Sequence, residues 1–375
     1  MGNVAVVRDP LFKRHSNGPW HPESAQRLAV IDEMLAAFPR RRELEELPAR
    51  DATFAELARV HTESYIPQIE ATQERERTVL DPDTSANRDS YAAAVRAAGG
   101  AIVAVDAVLD GRASGSFAFL RPPGHHAEAN QARGFCIFNN IAVAAAHALQ
   151  SIDLERVLIV DWDVHHGNGT MHSFYDSPRV LYMSIHQYPH YPGTGRLEEI
   201  GRGDGRGHTV NVPLPGGQND GDYLSVFREL FVPIGREYAP QLILVSAGFD
   251  VHRHDPLAGM DVSNRGFRMM TGMLRDLAGE CCPGRLAVML EGGYDHMALT
   301  EGVASVLEAL LDGDARSGAA GAGAAGAGGA AAGDASARDD TAGPDLAAEA
   351  AKPGPTTLRA IAAARQALAP FWRCL

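Results

Sequence analysis

The sequence predicts an α/β protein built on a doubly wound, mainly parallel sheet, and three observations carry that expectation. Short apolar runs rich in β-branched residues recur along the chain, and most are continuous rather than alternating. That is the pattern of strands covered on both faces, as in a parallel sheet. Helix-like segments lie between many of them, and the stretches that follow the runs are dense in His, Asp and Gly. Strands alternating with helices point to an α/β sheet, whose ligands bind beyond the carboxyl ends of its strands.

The elements follow in order. VAVV at 4–7 reads as the first strand, and the Ala- and Val-rich stretch 92–109 as a helix. FAFL at 117–120 is a strand followed by RPPGHHAEA; 141–149 is a helix; VLIV at 157–160 is a strand followed by DWDVHHGNGT. The runs 180–185 and 210–214 add two strands, the first followed by SIHQYPHYPGTG, and 223–238 a helix. LILVS at 242–246 leads into SAGFDVHRHDP, 266–277 is a helix, and LAVML at 286–290 leads into LEGGYDH. Five strand ends therefore carry metal-capable chemistry.

Composition narrows the class. The 375 residues, 45% hydrophobic and 22% charged, suit a globular chain that buries a core as one large domain or two ordinary ones. A formal net charge of −13 argues against a nucleic-acid footprint, which needs basic patches. No stretch of eighteen uncharged apolar residues suggests a membrane span. The start, MGNVAVVRDP, has no basic region or cleavage site of a signal peptide, and Val6 stands where a myristoylation motif has Ser or Thr. A cytoplasmic location is the expectation. Cys136, Cys281, Cys282 and Cys374 form no C-x-x-C pair, which fits reducing surroundings.

From 313 to 355 the composition falls to mostly Ala, Gly, Ser and Asp, a segment expected to be a flexible linker. An apolar pattern resumes over 357–372 through Leu358, Ile361, Leu368, Phe371 and Trp372. The organisation expected is one catalytic domain over 1–312, the linker over 313–355, and a C-terminal helix over 356–375 that docks back.

The chemistry concentrates after the 157–160 strand, where Asp161, Asp163 and His165 alternate along one face if the extended geometry continues. Asp163 and His165 suit zinc, and Asp250, at the end of another strand, is the natural third ligand. Three protein ligands leave an open position for water and substrate, as in a catalytic site. A lone strand-end Asp is more often a cap; Asp-x-Asp-x-His-His with a partner at a second strand end makes the metal reading the better one. His125 and His126 follow a turn-forming RPPG, and paired imidazoles supply the base and acid that amide hydrolysis needs. Asp161 and Asn168 are their candidate orienting partners. Tyr294, after the glycines of LEGGY, offers a phenolic O–H to a developing oxyanion.

Taken in order, HPESAQRL, RPPGHHAEA, GFCIFNN, DWDVHHGNGT, SIHQYPHYPGTG, SAGFDVHRHDPLAG and LEGGY resemble the zinc-dependent histone deacetylase family. The resemblance covers residues 9 to about 310 and the C-terminal helix. Asn168, in HHGNG, makes it similar to the class II branch, which includes bacterial deacetylase-like amidohydrolases. The resemblance implies an arginase-like three-layer α/β/α sandwich with about eight mainly parallel strands. It implies one zinc ion held by Asp163, His165 and Asp250, with His126 as general base and His125 as its companion. Asp161 would stand behind His125, Asn168 behind His126, and Tyr294 would polarise the acetyl carbonyl.

It further implies an acyl-lysine tunnel lined by Gly134, Phe135 and Tyr191, with the Gly134 carbonyl accepting the scissile amide N–H. Asp83 would lie on the rim and Leu257 near the mouth, where polyamine-selective members carry an acidic residue. A structural potassium ion would take oxygens from Asp161, Asp163, His165, Ser184 and Ile185. Tyr191 departs from the Phe usual in the family, and Asn87-Arg88 from its usual Ser-Pro or Cys-Pro. The substrates implied are acetylated lysine peptides or proteins, or small acetylated amines, with neither nucleic acid nor membrane as partner and a homo-oligomer open. Acetylpolyamine deacetylation, an arginase-like ureohydrolase and a silent acyl-binding homologue are the alternatives. The ureohydrolase needs a second metal and more carboxylates, and a silent homologue should have lost His126, a zinc ligand or Tyr294.

Overall fold

The computed structural model describes residues 3–151, 153–319 and 352–375. Its strands are β1 (Val4–Arg8), β2 (Leu44–Pro48), β3 (Thr78–Asp81), β4 (Thr84–Ala86), β5 (Gly115–Ala118), β6 (Val157–Asp161), β7 (Val180–Gln187), β8 (Thr209–Leu214), β9 (Leu242–Ala247) and β10 (Leu286–Leu290). Eight of them form one sheet in the order β2-β1-β5-β10-β9-β6-β7-β8, with every adjacent pair parallel. β3 and β4 make a separate antiparallel pair. The continuous apolar runs are explained by burial: β6, β9 and β10 are buried at every position.

The helices are α1 (Gln26–Ala37), α2 (Phe54–Leu57), α3 (Tyr65–Glu70), α4 (Ser90–Leu109), α5 (Asn140–Ala148), α6 (Asn168–Phe174), α7 (Asp220–Val226), α8 (Val232–Tyr238), α9 (Asn264–Cys281), α10 (His296–Ala319) and α11 (Pro355–Leu368). α4 packs on α5 and against β1 and β5, while α9 packs on α8 and α10, and α10 on α1. The sheet is thus flanked by helical layers, an arginase-like three-layer arrangement. The helix expected over 223–238 is continuous but contains a π-turn at Phe227–Phe231, just ahead of Pro233, which has no N–H to continue the ladder.

Several boundaries differ from expectation. β5 starts two residues before the run at 117–120, because Gly115 and buried Ser116 pair with β1 although neither is apolar. The Ser116 hydroxyl is satisfied by the Ala104 carbonyl at 2.7 Å. β2, LEELP, was invisible as an apolar run since it is an edge strand carrying two glutamates and a proline. α4 is long and apolar enough to span a membrane by length and composition, but 72% of its apolar window is buried within the protein.

α10 continues through Ala319, past the expected start of the linker at 313, and residues 320–351 of that linker lie outside the described residues. In the C-terminal segment Ile361, Ala364 and Leu368 are buried, and Trp372 Nε1 donates to the Gly207 carbonyl at 2.9 Å. Leu358, expected among the docking residues, is exposed instead.

The strand order brings β5, β10, β9 and β6 side by side. Their carboxyl ends therefore present RPPGHH, EGGY, GFD and DWDVHH to one crevice.

Candidate active site

The strand β6 ends at Asp161, so Asp163 and His165 sit in a turn rather than on the continuing strand face. The turn still converges them, because their own main chain folds around the carboxylates. Asp163 N–H donates to Asp161 Oδ1 at 3.2 Å, and His165 N–H to Asp163 Oδ1 at 2.9 Å. Asp250, after β9, accepts from the Val164 N–H at 3.0 Å through Oδ1. Ligand atoms of Asp163, His165 and Asp250 all lie within 4.8 Å of one another. His165 Nδ1 is 3.2 Å from both Asp163 Oδ1 and Asp250 Oδ2.

Asp250 Oδ2 is buried, and the one donor-capable side-chain atom given near it among the described residues, His165 Nδ1 at 3.2 Å, is not aligned to hydrogen-bond to it. A carboxylate oxygen left so would be costly unless a cation completed it. Two glycines keep the space open. A Cβ at Gly292 would come within 2.1 Å of Asp250 Oδ2, and one at Gly248 within 2.1 Å of Asp163 Oδ2. Gly292 N–H also donates to Asp163 Oδ2 at 2.9 Å. Two carboxylates and one imidazole with an orphaned oxygen fit a divalent cation of the zinc type.

The two histidines after β5 differ in surroundings. His125 Nδ1 lies 3.0 Å from Asp161 Oδ2. Burial works against a charged ring there, but the carboxylates of Asp161, Asp163 and Glu291 outweigh it and push His125 up to about 10. His126 Nδ1 lies 2.8 Å from Asn168 Oδ1, and since an amide oxygen only accepts, Nδ1 is the donor and a neutral ring leaves Nε2 unprotonated. Burial, reinforced by charge on His125 and His165, holds His126 well below the ordinary histidine range. The pair is thus split into one ring held charged and one held neutral, as acid–base chemistry at a single site requires.

A cavity of about 230 Å³ opens on these groups. His125, His126, Asp163, His165, Gly292 and Tyr294 line it, together with Asp83, Pro123, Gly134, Phe135, Tyr191 and Leu257. Gly134 has φ +54°, and a Cβ there would strike the His126 ring at 2.4 Å. The Phe135 ring meets Tyr294 edge-on at 5.9 Å, and Tyr191 meets His126 at 5.1 Å. Arg133 lies over Tyr191 and donates to its hydroxyl at 3.3 Å. Asp83 faces inward: its Oδ1 accepts from Gly134 N–H at 3.2 Å and from the Thr84 hydroxyl at 2.7 Å. Ser184, in register with Asp161 across β6 and β7, is buried, as is Ile185, and its hydroxyl is 2.8 Å from His186 Nδ1.

Sequence reasoning passed over several residues of this site. Glu291, buried at the end of β10, accepts from the Gly124 and His125 N–H groups at 2.7 and 3.2 Å, fixing the RPPGHH turn. Arg27 donates to the carbonyls of Glu291 and Gly293 at 2.5 and 2.7 Å and stacks over the Tyr294 ring. Asp255 holds the same loop from the other side. All three lie inside motifs quoted above, but only the folded loops show what they hold. Glu23, in HPESAQRL, is fully buried on Arg121, with Oε1 2.5 Å from Nε.

Comparison with known proteins agrees with this arrangement. Residues 21–310 match the model of the histone deacetylase domain. The chain is 41% identical over 294 residues to a probable deacetylase of Archaeoglobus fulgidus, covering 78% of this chain and 81% of that one. It is 39% identical over 308 residues to the chloroplastic histone deacetylase 10 of Oryza sativa subsp. japonica, covering 78% and 70%. Against histone deacetylase HDA1 of Candida albicans, at 41% identity over 280 residues, the match covers 71% of this chain but only 33% of the longer relative. The crystal structure of the HDA15 HD domain superposes with a TM-score of 0.86 at 35% identity, covering 99% of this chain and 96% of that one. With the family model matching residues 21–310 and the fold superposing on a solved member, the chain belongs to the histone deacetylase family, a family of hydrolytic deacetylases.

Proposed function

We propose that this protein hydrolyses the amide of acetylated lysine side chains in a zinc-dependent reaction, as a class II-like member of its family. The observation that carries the reading is the orphaned Asp250 Oδ2 beside Asp163 and His165, in a cavity that also presents the unprotonated Nε2 of His126. Asp163, His165 and Asp250 would hold the zinc, which would supply a Lewis acid for the water and the acetyl carbonyl.

The chain's own groups do the rest. His126 takes the proton from the attacking water through Nε2 and returns it to the departing amine. Asn168 keeps the other ring nitrogen protonated, so the lone pair stays on the cavity side. His125, held charged by Asp161, contributes positive charge where the tetrahedral oxyanion develops. Tyr294 donates its hydroxyl to that oxygen, and burial, which holds its pKa well above the ordinary value, keeps the proton in place. The Gly134 carbonyl accepts the amide N–H, and Phe135 and Tyr191 flank the lysine stem. Potassium behind the turn, on oxygens of Asp161, Asp163, His165, Ser184 and Ile185, belongs to the same reading, as does a cytoplasmic location.

Leu257 lines the mouth without charge, which favours peptides over polyamines. A cationic tail gains about 1–3 kcal/mol from an acidic partner in a partly desolvated mouth. An acetyl-lysine peptide should accordingly exceed N8-acetylspermidine in kcat/KM by at least about tenfold. Faster hydrolysis of the polyamine would replace this substrate assignment. A ureohydrolase is disfavoured, since the described residues hold one group able to bind a metal.

A further inference from the structure

The hydrogen bonds of His126 do not end at Asn168. The Asn168 amide nitrogen donates to the His126 carbonyl at 3.2 Å and makes a short hydrogen bond to Glu128 Oε1. His172 Nδ1, one turn further along α6, lies 3.0 Å from both Glu128 carboxylate oxygens. Glu128 itself is pinned by its backbone. Its N–H donates to the Gln131 carbonyl at 2.9 Å, and His61 Nδ1 lies 3.0 Å from its carbonyl. The chain His126–Asn168–Glu128–His172 thus runs from the buried base to a half-exposed helix face.

This chain settles which way the Asn168 amide points. Both neighbours of its nitrogen, the Glu128 carboxylate and the His126 carbonyl, are acceptors, so only the NH₂ group can face them. The amide oxygen must then face His126 Nδ1, which must carry the ring proton. A flipped amide would place NH₂ against Nδ1, drive the proton to Nε2, and remove the lone pair that the reaction uses. Burial opposes ionisation of Glu128, but the His172 and Asn168 hydrogen bonds overcome it and hold the carboxyl below its ordinary value.

We infer that Glu128, steadied by His172, is a positioning residue that fixes the Asn168 amide and through it the reactive tautomer of His126. The inference rests on the deacetylase reading for its kinetic consequence but not for its structural one.

Two readouts test it. In the full-length protein Glu128→Ala should lower kcat about tenfold, in the low range for groups that orient a catalytic partner, with KM, zinc content and Tm unchanged. In an Asn168→Asp background the same change should cost nothing or raise kcat, because a carboxylate at 168 needs no orientation and is repelled by Glu128. An equal loss in both backgrounds would mark Glu128 as merely structural and overturn the inference. Independently of turnover, imidazole nitrogen NMR, assigned through His126→Ala, should show Nδ1 protonated in the native protein and a mixture of tautomers in Glu128→Ala. An unchanged tautomer also overturns it. Should Glu128→Ala misfold, His172→Ala leaves Asn168 untouched and should shift kcat and tautomer in the same direction, and no shift counts against the inference. Absence of turnover in the native protein would instead refute the deacetylase reading and leave the NMR result to decide this one.

Discussion

The carboxylate of Asp255 and the backbone of Tyr294 are joined across two loops: Tyr294 N–H donates to Asp255 Oδ2 at 2.6 Å. The same oxygen accepts from Asp295 N–H at 3.2 Å, and Oδ1 from Leu257 N–H at 3.0 Å. One side chain after β9 therefore holds both Tyr294, the proposed oxyanion donor after β10, and Leu257. Asp255→Ala should lower kcat about 10–100-fold through misplacement of Tyr294, with zinc content retained. Tyr294→Phe sets the ceiling, at about 10²–10³-fold. Steady-state kinetics with metal analysis checks both. A loss from Asp255→Ala that exceeds that of Tyr294→Phe would give Asp255 a direct part in the chemistry.

Gly292→Ala tests the space proposed for the cation. Its Cβ would meet Asp250 Oδ2 at 2.1 Å and Asp163 Oδ2 at 2.7 Å, so one ligand must turn away. Zinc stoichiometry and turnover should both collapse while the circular dichroism spectrum stays native. A variant that binds one equivalent of zinc with native affinity would show that the ligand atoms are not where this geometry puts them.

Much of this was legible in the sequence because parallel strands buried on both faces must be continuous apolar runs, and the chemistry follows them directly. β6, β9 and β10 began where Val157, Leu242 and Leu286 indicated. The pairs His125–Asp161 and His126–Asn168, expected from a family resemblance, lie within hydrogen-bond distance. What the sequence hid has physical causes. β2 is an edge strand whose glutamates break the apolar signal. Asp161, Asp163 and His165 converge through a turn rather than by strand alternation. The tasks of Arg27, Glu291 and Asp255 lie in long-range contacts to backbone carbonyls and N–H groups, which leave no periodic trace.

Protonation of His61 should make the fold acid-sensitive. Its Nδ1 donates to the Glu128 carbonyl at 3.0 Å, and Nε2 accepts from Asn139 N–H at 2.9 Å, so the second bond needs a neutral ring. Burial pushes its pKa down to about 4. The folded value lies below the unfolded one, so the contribution is complete above the unfolded value of about 6.5. It is lost as pH falls from there toward 4, by about 3 kcal/mol in all. His61→Gln retains a donor and an acceptor without the titration. Its stability relative to the native protein should therefore rise as pH is lowered from 7 to 4 in denaturant titrations. Parallel pH profiles for the two proteins would remove His61 from this role.

The central claim, that Asp163, His165 and Asp250 hold the zinc on which amide hydrolysis depends, is tested most directly by metal reconstitution. Protein stripped by a chelator should lose hydrolysis of an acetyl-lysine peptide and recover it on addition of one equivalent of zinc. His165→Ala, given the same zinc, should bind little of it and stay inactive, because two protein ligands remain. Full turnover by the stripped protein, or native zinc binding and activity in His165→Ala, would contradict the account.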